Sequence, residues 1–197
     1  MVSLIPKTKK IMFPLYARSV LYKAHPKVGV YGFHIFDELI VSYFAKFGIN
    51  PGTKLNAEVP SNVLSNKKLY SRFIRGIFDT DGTLYFQKNY SNKNPINNQP
   101  RIKLGLTSKI IITQTKIMLE KLGFSPSFKK PYLGKRDKHL VYSIIISKKV
   151  DIKNFINNIE FKNSKHYTKW QVFKKLGYCP PKTNLKQRKA ILESKTL

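Results

Sequence analysis

One short run does most to limit what this chain can fold into: Phe73-Ile74-Arg75-Gly76-Ile77-Phe78-Asp79-Thr80-Asp81-Gly82. Before it, apolar side chains recur at helical spacing; after it, from Thr83, they alternate. The period changes from that of a helix to that of a strand across the dipeptide Asp81-Gly82. Two carboxylates at the negative end of a helix oppose its macrodipole, at roughly 0.3–1 kcal/mol each. The chain has only ten acidic residues, and two of them stand where they cost stability. A bound cation would offset that cost. A plain helix stop is the alternative, since Asp-Gly is a common turn dipeptide. The run is not an EF-hand, which needs a third oxygen ligand before its glycine and a distal Glu.

Charge narrows the partner. Thirty-seven Lys and Arg against ten Asp and Glu give a formal charge of +27. A folded domain this positive repels itself unless it meets a polyanion, and nucleic acid is the expected one. With 42% hydrophobic and 13% aromatic residues, the chain can bury a core and is no disordered polycation. No amphipathic stretch is broad enough to lie on a bilayer, and no apolar run is long enough to cross one. Cys179 is the single cysteine, so a disulfide framework and a CxxC zinc site are both excluded. His25, His34, His139 and His166 lack metal-motif spacing. With no signal-peptide core after Met1, an intracellular, non-secreted protein is expected.

An internal repeat organises the chain. Val30-Tyr31-Gly32-Phe33-His34-Ile35 resembles Val141-Tyr142-Ser143-Ile144-Ile145-Ile146, 111 residues later, and in the same register Phe44 falls on Phe155, Thr53 on Ser164 and Lys54 on Lys165. The second copy reads in full. A helix is predicted over 67–81, capped by Ser65 or Asn66, with Leu69, Phe73, Gly76, Ile77 and Thr80 on one face and Tyr70, Ile74 and Phe78 widening it. Arg75 and Asp79 are predicted to pair four residues apart on its other side. Strands are predicted over 83–89 and 101–107, separated by an Asn-rich loop; Tyr85, Gln87, Asn89, Arg101 and Lys103 face outward. A helix over 110–122 carries Ile111, Thr115, Met118, Leu119 and Leu122 inward. A second hairpin over 126–135 and 139–147 and helices over 150–159 and 166–176 complete an α-β-β-α-β-β-α order. The first copy keeps only a hairpin, about 12–20 and 29–36, and a helix over 37–47. Its counterpart of Asp81 would fall about thirty residues before Met1. The expected organisation is a partial first repeat over 1–54, a complete repeat over 66–177 and a basic tail over 178–197.

The run 74–82 resembles the signature of the LAGLIDADG homing endonucleases. Gly76, Asp79, Asp81 and Gly82 agree in letter, Ile74, Ile77 and Phe78 in character, and Arg75 and Thr80 depart. The repeat length and element order are also similar. The resemblance implies an α+β fold with an antiparallel β-saddle over the major groove of double-stranded DNA. It implies two motif helices packed together, here through Leu69, Phe73, Gly76, Ile77 and Thr80. It implies a divalent cation, Mg²⁺ or another, held by Asp81 with the backbone carbonyl of Thr80. It also implies a basic residue near the scissile phosphate, Lys165, with Lys54 as its counterpart. The implied DNA contacts are Tyr85, Gln87, Asn89, Arg101, Lys103, Ser108, Lys129, Lys135, Arg136 and Ser143. Gln and Asn match adenine edges, and Arg and Lys match guanine. The implied activity is site-specific double-strand cleavage by metal-assisted phosphodiester hydrolysis, with no small-molecule substrate and no membrane.

One chain with one motif helix cannot cut two strands alone. A second copy, or another chain supplying the missing helix, is therefore expected. A non-catalytic relic, or an intron RNA maturase of the same fold, is the competing reading; it would not need Asp81. Asp79 is read as a structural partner of Arg75 before a second metal ligand.

Overall fold

The computed structural model describes residues 20–25, 30–34, 38–48, 54–90, 95–135 and 137–194. They fall into two units, Met1–Gly52 and Thr53–Leu197.

In the first unit, strands β1 (Val20–His25) and β2 (Val30–His34) pair antiparallel, Val20 with His34 and His25 with Val30. Helix α1 (Glu38–Lys46) follows, with an acid in its first turn and a base in its last, as the helix dipole prefers. A strand is found at Val20–His25, where Val, Leu and Tyr favour extended backbone, while residues 12–19 of the strand expected over 12–20 lie outside the described residues. The expected counterparts Phe13 and Arg18 lie outside the described residues.

The second unit starts with a 3-10 turn, Lys54–Asn56, and a short helix α2 (Ser61–Leu64). A 3-10 turn at Lys67–Leu69, capped by the Asn66 side chain, leads into helix α3 (Tyr70–Asp81). Strands β3 (Gly82–Asn89) and β4 (Ile96–Leu106), helix α4 (Lys109–Lys121), and strands β5 (Ser127–Tyr132) and β6 (Val141–Ile146) follow. Helix α5 (Lys149–Asn154) passes into a π-helical turn, Phe155–Ile159. Helix α6 (Ser164–Leu176) and helix α7 (Leu185–Glu193) complete it. The sheet is antiparallel, in the order β3-β4-β6-β5. The fold is α+β, as expected.

One face of the sheet and the helices share the core. Ile102, Leu104, Ile144 and Ile146 project from the strands to meet Ile74, Phe78, Ile112, Met118, Leu119 and Phe155. Phe155 anchors it, edge-on to Phe78 with ring centroids 5.1 Å apart and to Phe124 at 6.0 Å. On α4 the buried set is Ile112, Thr115, Met118 and Leu119, so the helix is turned slightly from the expected face and Ile111 is only half-buried.

Strand β4 begins at Ile96, inside what the sequence reads as a loop. Pro100 misled that reading. It is tolerated because β4 pairs with β6 only from Ile102 onward, so one edge of β4 is open at Pro100. The expected basic tail is also built into the fold. Asn184 and Gln187 form a reciprocal capping box for α7. Buried Arg188 donates to Thr168 Oγ1 at 2.9 Å and to the Thr183 carbonyl. Lys175 Nζ caps the far end, donating to the carbonyls of Ile191, Leu192 and Ser194.

Candidate functional site

The site is built around the end of α3. Tyr70, Ile74 and Phe78 turn fully into the core, while Leu69, Phe73 and Ile77 are half-buried and Gly76, Thr80 and Asp81 are exposed. Apart from its own helix, a Cβ on Gly76 would meet nothing within 4 Å. Gly82 is different. Its backbone is ordinary extended chain, φ −80° and ψ 167°, so freedom at positive φ is not the reason for a glycine. A Cβ there would stand 2.5 Å from the Phe78 carbonyl oxygen, so only glycine lets the strand leave the helix this tightly.

Asp79 and Asp81 divide the motif's chemistry. Asp79 is buried, and its carboxylate accepts from the backbone N–H of Lys162 at 3.0 Å and of Asn163 at 3.2 Å. Asn163 Nδ2 donates back to the Asp79 carbonyl at 2.8 Å, while its Oδ1 accepts from Lys165 N at 2.9 Å and caps α6. Asp79 therefore rivets the end of α3 to the start of α6. The expected Arg75–Asp79 pair does not form. Arg75 donates instead to the Ile159 carbonyl, because Asp79 gains more from two buried N–H donors that would otherwise go unpaired.

Asp81 is exposed; its Oδ2 lies 2.9 Å from the Thr80 hydroxyl, which also reaches the Gly76 and Ile77 carbonyls at 3.2 and 3.1 Å. A hard divalent cation takes six or more oxygens. Asp81 offers suitable donors but too few, and the described residues contain no cluster of three or more His, Cys, Asp or Glu. These oxygens can supply only part of such a cation's coordination shell. Lys165 stands exposed in the first turn of α6, at the end that Asp79 fastens to α3. Lys54 opens the 3-10 turn, and its side chain lies outside the described residues.

The face of the sheet opposite the core carries Thr83, Tyr85 and Gln87 on β3, facing Lys103, Arg101 and Gln99 on β4. Arg101 makes four hydrogen bonds. It donates to Gln87 Oε1 at 2.9 Å, Gln99 Oε1 at 3.1 Å, and the Pro100 and Ser147 carbonyls at 2.9 and 3.2 Å. Because arginine only donates, both carboxamide oxygens must point at it, and both NH₂ groups point away. Lys103 Nζ lies 4.8 Å from the centre of the Tyr132 ring. Burial pushes the Tyr85 phenol up, and Arg101 beside it pulls it down. Lys129 and Lys135 are exposed, Asn89 ends β3, and Arg136 lies outside the described residues.

Two expected DNA contacts are corrected. Ser108 is buried; it caps α4 by accepting from Ile111 N at 3.2 Å and donates to the Ala57 carbonyl at 2.6 Å. Ser143 lies on the outer face but is only 1% exposed, because β6 is an inner strand paired with Gly105 on β4 and Lys129 on β5. Gln99 and Tyr132 were missed. Extending the alternation two residues back from Arg101 would have found Gln99; nothing in the sequence marks Tyr132.

Behind the motif, His166 is buried with Nδ1 3.4 Å from Leu84 N, and Lys169 donates to the Leu84 carbonyl at 2.9 Å. Burial, with Lys165, Lys169 and Arg188 nearby, lowers the His166 pKa to about 4. It is a neutral core acceptor. No helix among the described residues is long and apolar enough to cross a membrane.

Residues 68–160 match the family of LAGLIDADG-like domains. The matched stretch holds the motif at the end of α3 and the four-stranded sheet that follows it. No curated protein sequence matches the chain. Among solved structures, it is similar to a crystal structure of the homing endonuclease I-CvuI in complex with the I-CreI target in the presence of Mg, with DNA not cleaved; identity is 15%, over 66% of this chain and 87% of that one, at a TM-score of 0.39.

Proposed function

We propose that this chain binds duplex DNA on the outer face of its sheet and, when a second motif helix joins α3, hydrolyses phosphodiester bonds with a divalent cation. One observation carries the reading: α3 bears an open glycine and half-buried Phe73 and Ile77 beside its core-facing stripe, and it ends in the exposed Asp81 carboxylate. An apolar stripe that ends in a free acid, in a chain of charge +27, is built to meet another helix and a cation together.

Asp81 and the Thr80 carbonyl would hold one side of the cation, and an equivalent acid on the second helix would hold the other. When bound there, a divalent cation, Mg²⁺ or another, would supply water activation and charge stabilisation at the phosphate. The chain's own residues do the rest. Asp79 keeps α3 and α6 in register, so that Lys165 adds positive charge at the same end. Thr83, Tyr85, Gln87, Gln99, Arg101 and Lys103 form the reading surface. With their oxygens bound to Arg101, Gln87 and Gln99 offer NH₂ donors, which suit the O6 and N7 acceptors of guanine or the O4 of thymine. The adenine pairing expected for Gln87 needs its oxygen released first.

The two units share one repeat spacing. In the first unit β2 begins at Val30 and α1 at Glu38; in the second, β6 begins at Val141 and α5 at Lys149, both 111 residues later. A second copy, or another chain, would then supply the partner. The experiment is Asp81→Asn against wild type. Cleavage of a library of duplex sites with Mg²⁺ should fall by roughly 10²–10³-fold or more, while duplex binding in EDTA persists. Equal cleavage by both proteins, or a strict monomer on light scattering that cuts both strands, overturns the reading.

A further inference from the structure

On the helix side of the sheet, away from Arg101 and Tyr85, lies a cleft of about 740 Å³ that the proposed function does not use. Its floor is apolar, from Ile152, Phe161 and Phe173, and Trp170 stands in its wall. Trp170 and Phe173 are nearly parallel, 31° apart with centroids at 5.3 Å. Lys149, Lys153, Lys162 and Lys174 line the rim, and its one acid, Glu160, is already paired with Lys162 at 2.7 Å.

Three irregularities converge there. The π-helical turn Phe155–Ile159 contributes Ile156 and Asn157 to the lining. Glu160 sits at φ 66° and ψ 165°, backbone that only glycine adopts without strain. Asn98 Oδ1 is buried with no hydrogen-bond partner, a costly state for an acceptor. Strain and an orphaned polar atom in one cleft mark a place kept for a ligand.

From this arrangement we infer that the cleft binds a single-stranded polynucleotide, with one unpaired base stacked on Trp170, its polar edge on the lining amides Asn157 and Gln171, and the flanking phosphates on the lysines. A nucleobase has a flat apolar face, a rim of donors and acceptors, and a phosphate on each side, which matches the aromatic wall, the amides and the lysines. A duplex does not fit, because its base faces are stacked on each other. The volume lies within the usual range for small-ligand sites, and the exposed lysines leave the cleft open for a chain to enter and leave.

Trp170 is the chain's only tryptophan, so its fluorescence reports on this cleft alone. Wild-type protein is titrated with a mixed-sequence RNA of about 12 nucleotides, within the span of a single-strand site, with the DNA of the same sequence, and with the matching duplex. Single strands should quench Trp170; quenching by RNA alone identifies a 2′-hydroxyl contact, and quenching by both identifies the shared base-and-phosphate chemistry. Trp170→Leu should weaken binding of a labelled single strand by roughly 5- to 150-fold, the worth of one stacked base. If that variant misfolds, the double variant Lys153→Gln with Lys174→Gln decides. These exposed side chains can change without unfolding the protein, and their loss should lower the salt slope of single-strand binding by roughly 1.4, with duplex binding unchanged. Quenching by duplex as strong as by single strands, or single-strand binding that neither quenches Trp170 nor weakens in the lysine variant, overturns the inference.

Discussion

The two faces of α3 are put to opposite uses. One face, Tyr70, Ile74, Phe78 and Asp79, is buried and bonded: three side chains fill the core and a carboxylate fastens α6. The other, Phe73, Gly76, Ile77, Thr80 and Asp81, is half-covered or open. Both lie within one 12-residue helix and one sequence motif. Substitutions on the first face should therefore act on folding, and those on the second on assembly and chemistry. The two aspartates make the sharpest test. Asp81→Asn should abolish cleavage and leave the melting temperature unmoved. A drop in melting temperature for that variant would place Asp81 on the folding side and end the division.

The next largest effect falls on the core face. Phe78→Ala should destabilise by about 3–5 kcal/mol, the usual cost of deleting a buried aromatic ring. Ile77→Ala, on the half-covered face, should cost well under half as much by urea unfolding at low protein concentration. Equal losses would mean that the two faces are equally packed in the isolated chain. Asp79→Ala strips two buried N–H groups of a charged acceptor and should cost about 3 kcal/mol. By thermal melt that is roughly 6–12 °C.

A pH series probes the same seam from the other side. Neutral His166 lies against Leu84, just past the motif, with its pKa lowered to about 4 by burial and by Lys165, Lys169 and Arg188. The unfolded chain takes up that proton near pH 6.5. Stability is therefore complete above pH 6.5 and falls as the pH drops toward 4. Melting temperature should decline between pH 7 and 5, where carboxylates stay ionised, and His166→Gln should flatten that decline. An equally steep decline in the variant would assign the pH dependence elsewhere.

The smallest effect has opposite signs on the two readouts. Alanine at Gly76 meets nothing in the chain and should raise the stability of the monomer by roughly 0.5–1 kcal/mol, the usual gain over glycine inside a helix. The same methyl should block close helix–helix approach and shift sedimentation toward monomer. A variant that is stabilised and still pairs would remove the reason for a glycine there.

Much of this could be read before any coordinates. The change from helical to alternating spacing at Asp81-Gly82 located α3 and β3 to within a residue or two, because burial on one face of each element imposes its period on the sequence. Lys165, Lys129 and Lys135 are exposed as charged residues usually are. The errors came where a local rule met a distant partner. Pro100 looked like a loop residue until β4 proved open-edged there. Asp79 looked like the partner of Arg75 until Lys162 and Asn163, more than eighty positions away, took its oxygens. Ser108 and Ser143 stood among the DNA contacts that the resemblance implied. A cap on α4 and an inner strand buried them.

The chain alone determined the element order, the strong positive charge and the position of the acid at a helix end, since each follows from spacing or composition along neighbouring residues. Tertiary structure alone decided which of two adjacent acids is spent on the fold, which way Gln87 and Gln99 turn their amides, and that an aromatic cleft rimmed by lysines exists behind the sheet. Those outcomes depend on groups brought together from far apart in sequence, where no periodicity carries the information.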